Sequence, residues 1–439
     1  MRRRFDVTGR VDDAGRKALD LPLQDKGTGP IRAHVIAEQR TNGTSDIDVN
    51  LDLAQARVRF DEIAWRKAAG KPGTARFVLK LDRATLVSLE DLSATADDLD
   101  LRGRIAFARD AEIQTMELSR LKVGSSDVRV GVGRRQQGGY AVGISGDRLD
   151  LRPLFAPDDE PRPKSKGPAL GVEIQVAELR MSDDRAFTTV RASLESDGAV
   201  WRRIGAEGRV GADGRFALDM SALDKRHRFH LTSLDAGAML RALGFYDNMV
   251  GGRLVLDGKV DVDGKGLPFE GDLSITDFTV IKAPILARLA SLASFSGIFE
   301  TLSGAGIGFS RLSAKLIQTE QRIEIVDALA GGGSIGITAR GWVERKTDVA
   351  EIEGTAVPAY TLNRVIGAIP LLGTIITGGQ NEGVVAADFR ITGPLERPEV
   401  TVNPLSALAP GILRRIVRFF GGLEGEDDRP EAGKQGPNR

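Results

Sequence analysis

Apolar and polar positions alternate over most of this chain. Ile47, Val49, Leu51 and Leu53 alternate with Asp48, Asn50 and Asp52, and Phe77, Leu79 and Leu81 with Val78, Lys80 and Asp82. Val128, Val130 and Val132 follow the same rule. So do Leu254, Leu256, Val260 and Val262, then Leu273 and Ile275, Ile323 and Ile325, Ile335, Ile337 and Ala339, and finally Val385, Ala387, Phe389 and Ile391. A period of two puts successive side chains on opposite faces of a strand, so each run has one aliphatic side and one charged side. The start, with Phe5, Val7, Gly9 and Val11 in step, also reads as a strand. Asp-Gly and Asn-Gly steps join the runs, as in "DVDGKG" (Asp261 to Gly266), "GADGR" (Gly211 to Arg215) and "TNGTSD" (Thr41 to Asp46). These residues tolerate the positive φ that hairpin turns need. Roughly 20 candidate strands result, which predicts a mainly β, elongated, twisted antiparallel sheet.

Helical pattern is scarce. "SLDAGAMLRALGF" offers Asp235 as N-cap, Leu240 and Leu243 on a shared face, and Gly244 as C-cap. A second helix is expected from Pro284 to Leu302, with Ile285, Leu289, Leu292 and Phe299 near one face. A third closes the chain. On a wheel of about 100° per residue, Leu408, Ile412, Leu413, Ile416, Val417, Phe419 and Phe420 fill one arc, and Arg414, Arg415 and Arg418 the other. Bulky apolar groups opposite arginine suit a lipid interface, and equally a cap over the end of a sheet. The stretch Val365 to Gly379 contains Ile369, Leu371, Leu372, Ile375 and Ile376, with Pro370, Gly367 and Gly373 interrupting it. It falls short of the roughly 18 apolar residues that span a bilayer, which leaves an interfacial hairpin or a buried cap.

Composition removes several function classes. Sixty-one basic residues balance 61 acidic ones, so no bulk field favours nucleic acid. The absence of cysteine excludes disulfides, cysteine-ligated zinc and a thiol nucleophile. "GGGSIG" (Gly331 to Gly336) fits a dinucleotide fingerprint, but the strand-like "SIGITARGWVE" follows where a helix should hold the phosphates. "GAGIG" (Gly304 to Gly308) follows a helix, on the wrong side for phosphate. His34 is isolated, and His227 and His230 stand three apart, which on a strand sends them to opposite faces. The carboxylate clusters Ala96 to Asp100 and Glu424 to Asp428 read as wet faces and turns. Asn42 starts a glycosylation sequon that reads better as a hairpin turn. No catalytic, metal or cofactor site is expected, and the chain reads as a non-enzyme. It opens on "MRRRFDVTG", with arginines but no apolar core to make a signal peptide.

The expected organisation is a β segment over residues 1–155, a Pro- and charge-rich linker over 156–168, a second β segment with helices over 169–420, and a polar tail over 421–439. The long aliphatic face needs a cover: a second sheet, helices or a ligand. Helices are too few, so a closed sandwich and an open trough filled by acyl chains both stand.

The closing third carries a resemblance. "VPAYTLN" (Val357 to Asn363), "IPLLG" (Ile369 to Gly373), "ITGP" (Ile391 to Pro394) and "NPLSALAPG" (Asn403 to Gly411), followed by the basic-apolar helix, resemble the C-terminal region of AsmA-like proteins of the YhdP branch. Ser233 to Gly258 and "GDRLDLRPLF" (Gly146 to Phe155) resemble it too. The resemblance implies a repeating β-groove, open along one side, that passes phospholipid between the inner and outer membranes of a Gram-negative envelope. The helices are then expected near the C-terminal end. It implies that Leu254, Leu256, Val260, Val262, Leu273, Ile275, Ile323, Ile325, Ile335, Ile337, Val385, Phe389 and Ile391 line the groove. It implies membrane contact through Ile369, Leu371, Leu372, Ile375, Ile376 and the helix from Ile412 to Phe420. That family carries an N-terminal membrane anchor, absent from this sequence. The chain therefore reads as a C-terminal portion, or as the partner of a separate anchored chain. The alternative is a non-enzymatic structural protein of the envelope with a closed β core.

Overall fold

The computed structural model of the protein describes residues 3–18, 26–155, 167–182, 185–212, 214–223, 226–262, 267–281, 306–332, 335–358, 386–395 and 397–403. Contacts divide the chain into two compact units, residues 1–222 with 242–244, and residues 223–241 with 245–439.

Sixteen strands begin in the first unit: β1 (Arg3–Val11), β2 (Gly27–Thr28), β3 (Ile31–Gln39), β4 (Thr44–Asp52), β5 (Arg57–Phe60), β6 (Trp65–Lys67), β7 (Gly73–Asp82), β8 (Thr85–Ala96), β9 (Leu99–Phe107), β10 (Ile113–Val123), β11 (Ser126–Arg134), β12 (Tyr140–Asp150), β13 (Leu170–Ser182), β14 (Arg185–Ser196), β15 (Trp201–Val210) and β16 (Gly214–Leu223). In the second unit follow β17 (Arg226–Ser233), β18 (Met249–Val260), β19 (Phe269–Val280), β20 (Ile307–Gln318), β21 (Arg322–Gly331), β22 (Ile335–Glu344), β23 (Val349–Pro358), β24 (Ala387–Pro394) and β25 (Glu399–Asn403). Twenty-two of them form one twisted sheet that does not close into a barrel, and β2, β5 and β6 form a small separate one.

Pairing follows chain order, because each strand is short and each turn is tight. β1 pairs with β3, β3 with β4, β4 with β7, then β7–β8, β8–β9, β9–β10, β10–β11 and β11–β12, all antiparallel. β3 thus lies between β1 and β4, and β10 between β9 and β11. The hairpin at Asn42 is one of these turns: Gly43 takes a φ of 88° and donates to the Arg40 carbonyl, 3.1 Å away, while the Asn42 side chain accepts from the Thr44 amide at 3.1 Å. "GGGSIG" joins β21 to β22 with Gly331 opposite Gly336, so a strand does follow it.

One pairing breaks the pattern. β12 and β13 run parallel, Tyr140 beside Leu170 and Asp150 beside Arg180. The chain between them must therefore return along the length of a strand. That return is the expected linker, most of which lies outside the described residues. The strands on either side of it are direct neighbours in one sheet.

Three short helices are described: α1 (Asp13–Ala18), α2 (Arg152–Phe155) and α3 (Ala236–Ala242). Two of the three lie early in the chain, ahead of the C-terminal position expected for helices. The Asp12 side chain accepts from the Gly15 amide at 2.9 Å, which is the cap that starts α1. In α3, Asp235 caps as its position predicts, accepting from the Ala238 amide at 2.9 Å, and Gly244 ends the segment with a φ of 77°. The buried face of α3 is not the Leu240–Leu243 side but Ala236, Ala238, Met239 and Ala242. A Cβ on Gly237 would collide with the Met249 carbonyl, so the helix lies against strand backbone and small residues must face it. The expected helices at Pro284 to Leu302 and at the chain end lie outside the described residues. Among the described residues, no helix is long and apolar enough to cross a membrane.

Candidate functional site

The candidate site is the apolar face of the sheet, taken in each unit separately. In the first unit the registers join one residue per strand into a row. It runs Phe5–Ala37–Ile47–Leu79–Leu89–Ile105–Met116, and continues Val132–Val142–Val172–Leu194–Ile204–Met220. Thirteen consecutive strands contribute, and all thirteen residues are apolar. None is buried: twelve are half-buried and Phe5 is exposed. At about 4.8 Å per strand the row extends for roughly 58 Å. Beside it runs a more protected row, Leu101–Leu121–Val128–Gly146–Val176–Val190, in which Leu121, Val128, Val176 and Val190 are buried.

The opposite face of the same strands is charged and matched. Arg76 meets Asp48 at 3.0 Å and Arg104 meets Glu117 at 2.7 Å. At the end of β11, on the side of Val132, Arg134 meets Asp110 of the turn before β10 at 2.8 Å. The Arg134 hydrogen bond is the main reason the Asp110 carboxyl titrates below its usual range. A concavity of about 1070 Å³ opens among polar residues that include Arg104, Glu117, Arg129, Ser145, Glu173 and Gln175, with Gly131 opposite Gly143 between them.

Bulges keep the two faces apart. Leu89 and Leu92, Leu118 and Leu121, Phe187 and Val190, Ile275 and Phe278, and Ile325 and Ala328 are each spaced by three, where a regular strand would send them to opposite sides. At four of these places the pairing shifts register, between Leu89 and Leu92, Leu118 and Leu121, Thr188 and Arg191, and Ile325 and Ala328. The fifth, between Ile275 and Phe278, holds Asp277 at a φ of 57°; Asp91 and Thr189, inside the first and third, sit at 51° and 52°. The extra residue restores the phase and returns the second apolar side chain to the apolar face.

In the second unit the sequence-derived residues share a face. Leu254 pairs with Ile275, and Leu256 with Leu273. Ile275 continues through Leu312 and Ala330 to Ile337, and Leu273 through Ala314, Ala328, Ala339 and Gly354 to Phe389. Ile325, Gly341, Ile352 and Ile391 form a parallel row, while Ile323 and Val260 fall in the next. Val262 lies past the end of β18. Val385, and all the expected membrane-contact residues (Ile369, Leu371, Leu372, Ile375, Ile376 and Ile412 to Phe420), lie outside the described residues. Cover is uneven on this face: Leu254, Ile275, Ile335, Ala356 and Phe389 are buried, and Leu256, Leu273, Ile323, Ile325 and Ile337 are half-buried. Across the sheet, Lys315 meets Glu270 at 3.0 Å, and Glu353 is held below the usual carboxylate range first by the Arg340 hydrogen bond and then by Arg390.

The histidines separate as their spacing predicts. His227 is buried opposite Val260, on the apolar face, and His230 is exposed with Nδ1 2.6 Å from an Asp257 carboxylate oxygen. His34 meets Asp6 at 2.9 Å on the polar side. Among the described residues, no group of three or more His, Asp or Glu side chains could hold a metal ion.

The first-unit row is the part that sequence reasoning only glimpsed. Phe5, Ile47, Leu79 and Val132 stood in the alternating runs, whereas Ala37, Leu89, Ile105, Met116, Val142, Val172, Leu194, Ile204 and Met220 did not. Spacings of three within otherwise alternating runs were the available signal, since a bulge shifts the phase by one residue.

No family model matches the chain, and no curated protein or solved structure matches it. The class of protein is therefore what the fold alone defines: an open, predominantly antiparallel sheet with one aliphatic and one charged face.

Proposed function

We propose that this chain is a non-catalytic lipid-transfer module of the Gram-negative cell envelope that holds phospholipid acyl chains along the apolar face of its sheet. The single observation that carries this reading is the first-unit row, thirteen apolar side chains on consecutive strands with none of them buried. Leaving so much hydrocarbon half-covered by protein is unfavourable in water, and each methylene withdrawn by an acyl chain is worth about 0.8 kcal/mol. A bilayer's hydrocarbon core is about 30 Å thick and holds two chains end to end, so roughly 58 Å of row accommodates several. The row contains no polar trap, which suits sliding over tight capture. Head groups would remain at the wet margin. The resemblance to AsmA-like proteins of the YhdP branch supports a periplasmic location, passage between the inner and outer membranes, and a partner chain that supplies a membrane anchor. On this reading the C-terminal helix, Ile412 to Phe420, meets the membrane surface.

The test is uptake of a fluorescent acyl probe, alongside mass spectrometry of lipid extracted from the purified protein. Met116→Asp and Val142→Asp should each reduce uptake several-fold with the circular dichroism spectrum unchanged, because both side chains are half-buried and a carboxylate there still reaches water. Leu256→Asp and Ile337→Asp should act similarly in the second unit. Absence of co-purified lipid together with unaltered uptake in the variants would sink the reading.

A second reading has its own observation. Leu254, Ile275, Ala356, Ala387 and Phe389 are buried within the second unit. There the face behaves as a packed core, as expected of a structural protein of the envelope. A chain that takes up no acyl probe at all would favour it.

A further inference from the structure

The polar face of the first unit holds a hollow of about 1070 Å³ that spans β8 to β14. The strand registers lay two rows of residues across it. One runs Arg104–Glu117–Gly131–Gly143–Glu173. The other runs Ser93–Arg102, crosses Ser119 and Arg120 at the β10 bulge, and continues Arg129–Ser145–Gln175–Arg191. The rows are two residues apart along each strand, or about 7 Å.

Charge is segregated between them. The second row contains no carboxylate. The first has two, Glu117 and Glu173, one on each side of the glycine pair. Its one cation, Arg104, is bound to Glu117 at 2.7 Å. Arg102 and Arg191 reach carboxylates only at 3.4 and 3.6 Å. Among the described residues, Arg129 makes no ion pair and no side-chain hydrogen bond. One guanidinium is therefore free inside the hollow, with the Ser145 hydroxyl and the Gln175 amide next to it in register.

The fold does not demand the glycines between Glu117 and Glu173. Neither Gly131 nor Gly143 takes a positive φ, and a Cβ on either meets nothing within 4 Å. At Gly103 and Gly146 the reason for glycine is plain, since a Cβ there would strike the backbone of the adjoining strand. Glycine weakens a strand interior, and where neither conformation nor packing requires it, it marks close approach by something else.

We propose that this hollow binds a carboxylate-bearing saccharide whose ring lies over Gly131 and Gly143. Arg129 takes the carboxylate, Ser145 and Gln175 hydrogen-bond beside it, and Glu117 and Glu173 accept sugar hydroxyls from either side. Three strand steps, roughly 14 Å, separate those two glutamates along the row. One free guanidinium matches one carboxylate, and the two glutamates disfavour a polyanion by like-charge repulsion. A peptide lying on the face finds no ladder to join, because backbone groups inside a sheet are already paired with one another. The inference concerns the face opposite the acyl-chain row and is independent of what occupies that row.

The experiment is calorimetric titration of the full chain with tetragalacturonate, with its neutral methyl ester, and with inorganic phosphate as competitor. The acid should bind about tenfold more tightly than the ester, the size expected of one charge-assisted contact. Arg129→Gln should bring the acid down to the level of the ester and leave the ester unchanged, a selective loss that misfolding cannot produce. Gly143→Leu fills the floor and should abolish binding of both without lowering the urea midpoint, since its side chain enters open space. No binding of the acid, equal binding of acid and ester, a preference that survives Arg129→Gln, or binding that survives Gly143→Leu overturns the proposal. Displacement of the acid by an equal concentration of phosphate also overturns it, by identifying an unselective anion patch.

Discussion

At the scale of single residues, the most constrained group is a lysine. Lys67 is only 4% exposed, and its Nζ donates to the carbonyls of Leu53 at 2.8 Å, Ala56 at 3.0 Å, Ala68 at 3.1 Å and Ala54 at 3.4 Å. Burial pushes its pKa below 10.5, while Asp52 and Asp97 draw it back. The ammonium gathers the carbonyls of the loop after β4, and so ties the small β2–β5–β6 sheet to the main one. Lys67→Met keeps the length and removes the donor. It should destabilise the protein by about 1–3 kcal/mol, read as a lower urea midpoint, because the carbonyls of Ala56 and Ala68 lose the ammonium while those of Leu53 and Ala54 keep only the amides of Ala56 and Gly70. Nothing in "EIAWRKAAGK" announces this role: a lysine after Arg66 and ahead of a Gly turn reads as surface, and only the fold encloses it. The histidine pair is the converse case, since the spacing of His227 and His230 alone settled their opposite faces.

At the scale of elements, turns were legible and bulges were not. Asp-Gly and Asn-Gly steps state their φ requirement locally, so the hairpin at Asn42 follows from four residues. A bulge with a non-glycine residue at positive φ gives no such notice. Thr189 is the sharpest example: it is β-branched, exposed and held at a φ of 52°. Thr189→Gly should raise stability by about 1 kcal/mol by relieving left-handed strain. Deleting residue 189 should instead move Val190 to the charged face and cost far more, which a denaturation series on both variants would separate.

The next turn in the chain carries a pH dependence. Asp197 accepts from the amides of Val200 and Ala199, each at 2.9 Å, and pairs with Arg202, which together hold it down to about 2. Because its folded pKa lies below the ordinary 3.8, the stabilisation is complete above that value and is lost as pH falls toward about 2. Amide exchange at Ala199 and Val200 should accelerate across that window, beyond the intrinsic trend. Asp197→Asn should show no such step.

At the scale of the whole molecule, the distribution of cover along the apolar faces decides between a conduit and a core. A carboxylate at Val142 should leave the fold intact and reduce acyl uptake, since that residue belongs to the open row of the first unit. At Ala356, fully buried in the second, the same substitution should unfold the surrounding strands. The contrast is the whole-molecule form of the uptake prediction. It depends on which rows neighbouring strands leave open, a property no single strand possesses.

The sequence by itself determined that this protein is a mainly β chain of short strands, each with an aliphatic and a charged side, joined by tight turns. Those properties are local, written in a period of two and in the φ tolerance of Gly, Asn and Asp. Only the tertiary structure decided the rest: which residues stand side by side across thirteen strands, where bulges restore the phase, and that β12 and β13 run parallel around an inserted stretch. Alternation and tight turns fix the apolar face of each strand and limit its register, but bulges, the parallel step and the cover over each row depend on strands far apart in the sequence, which no single run of residues encodes.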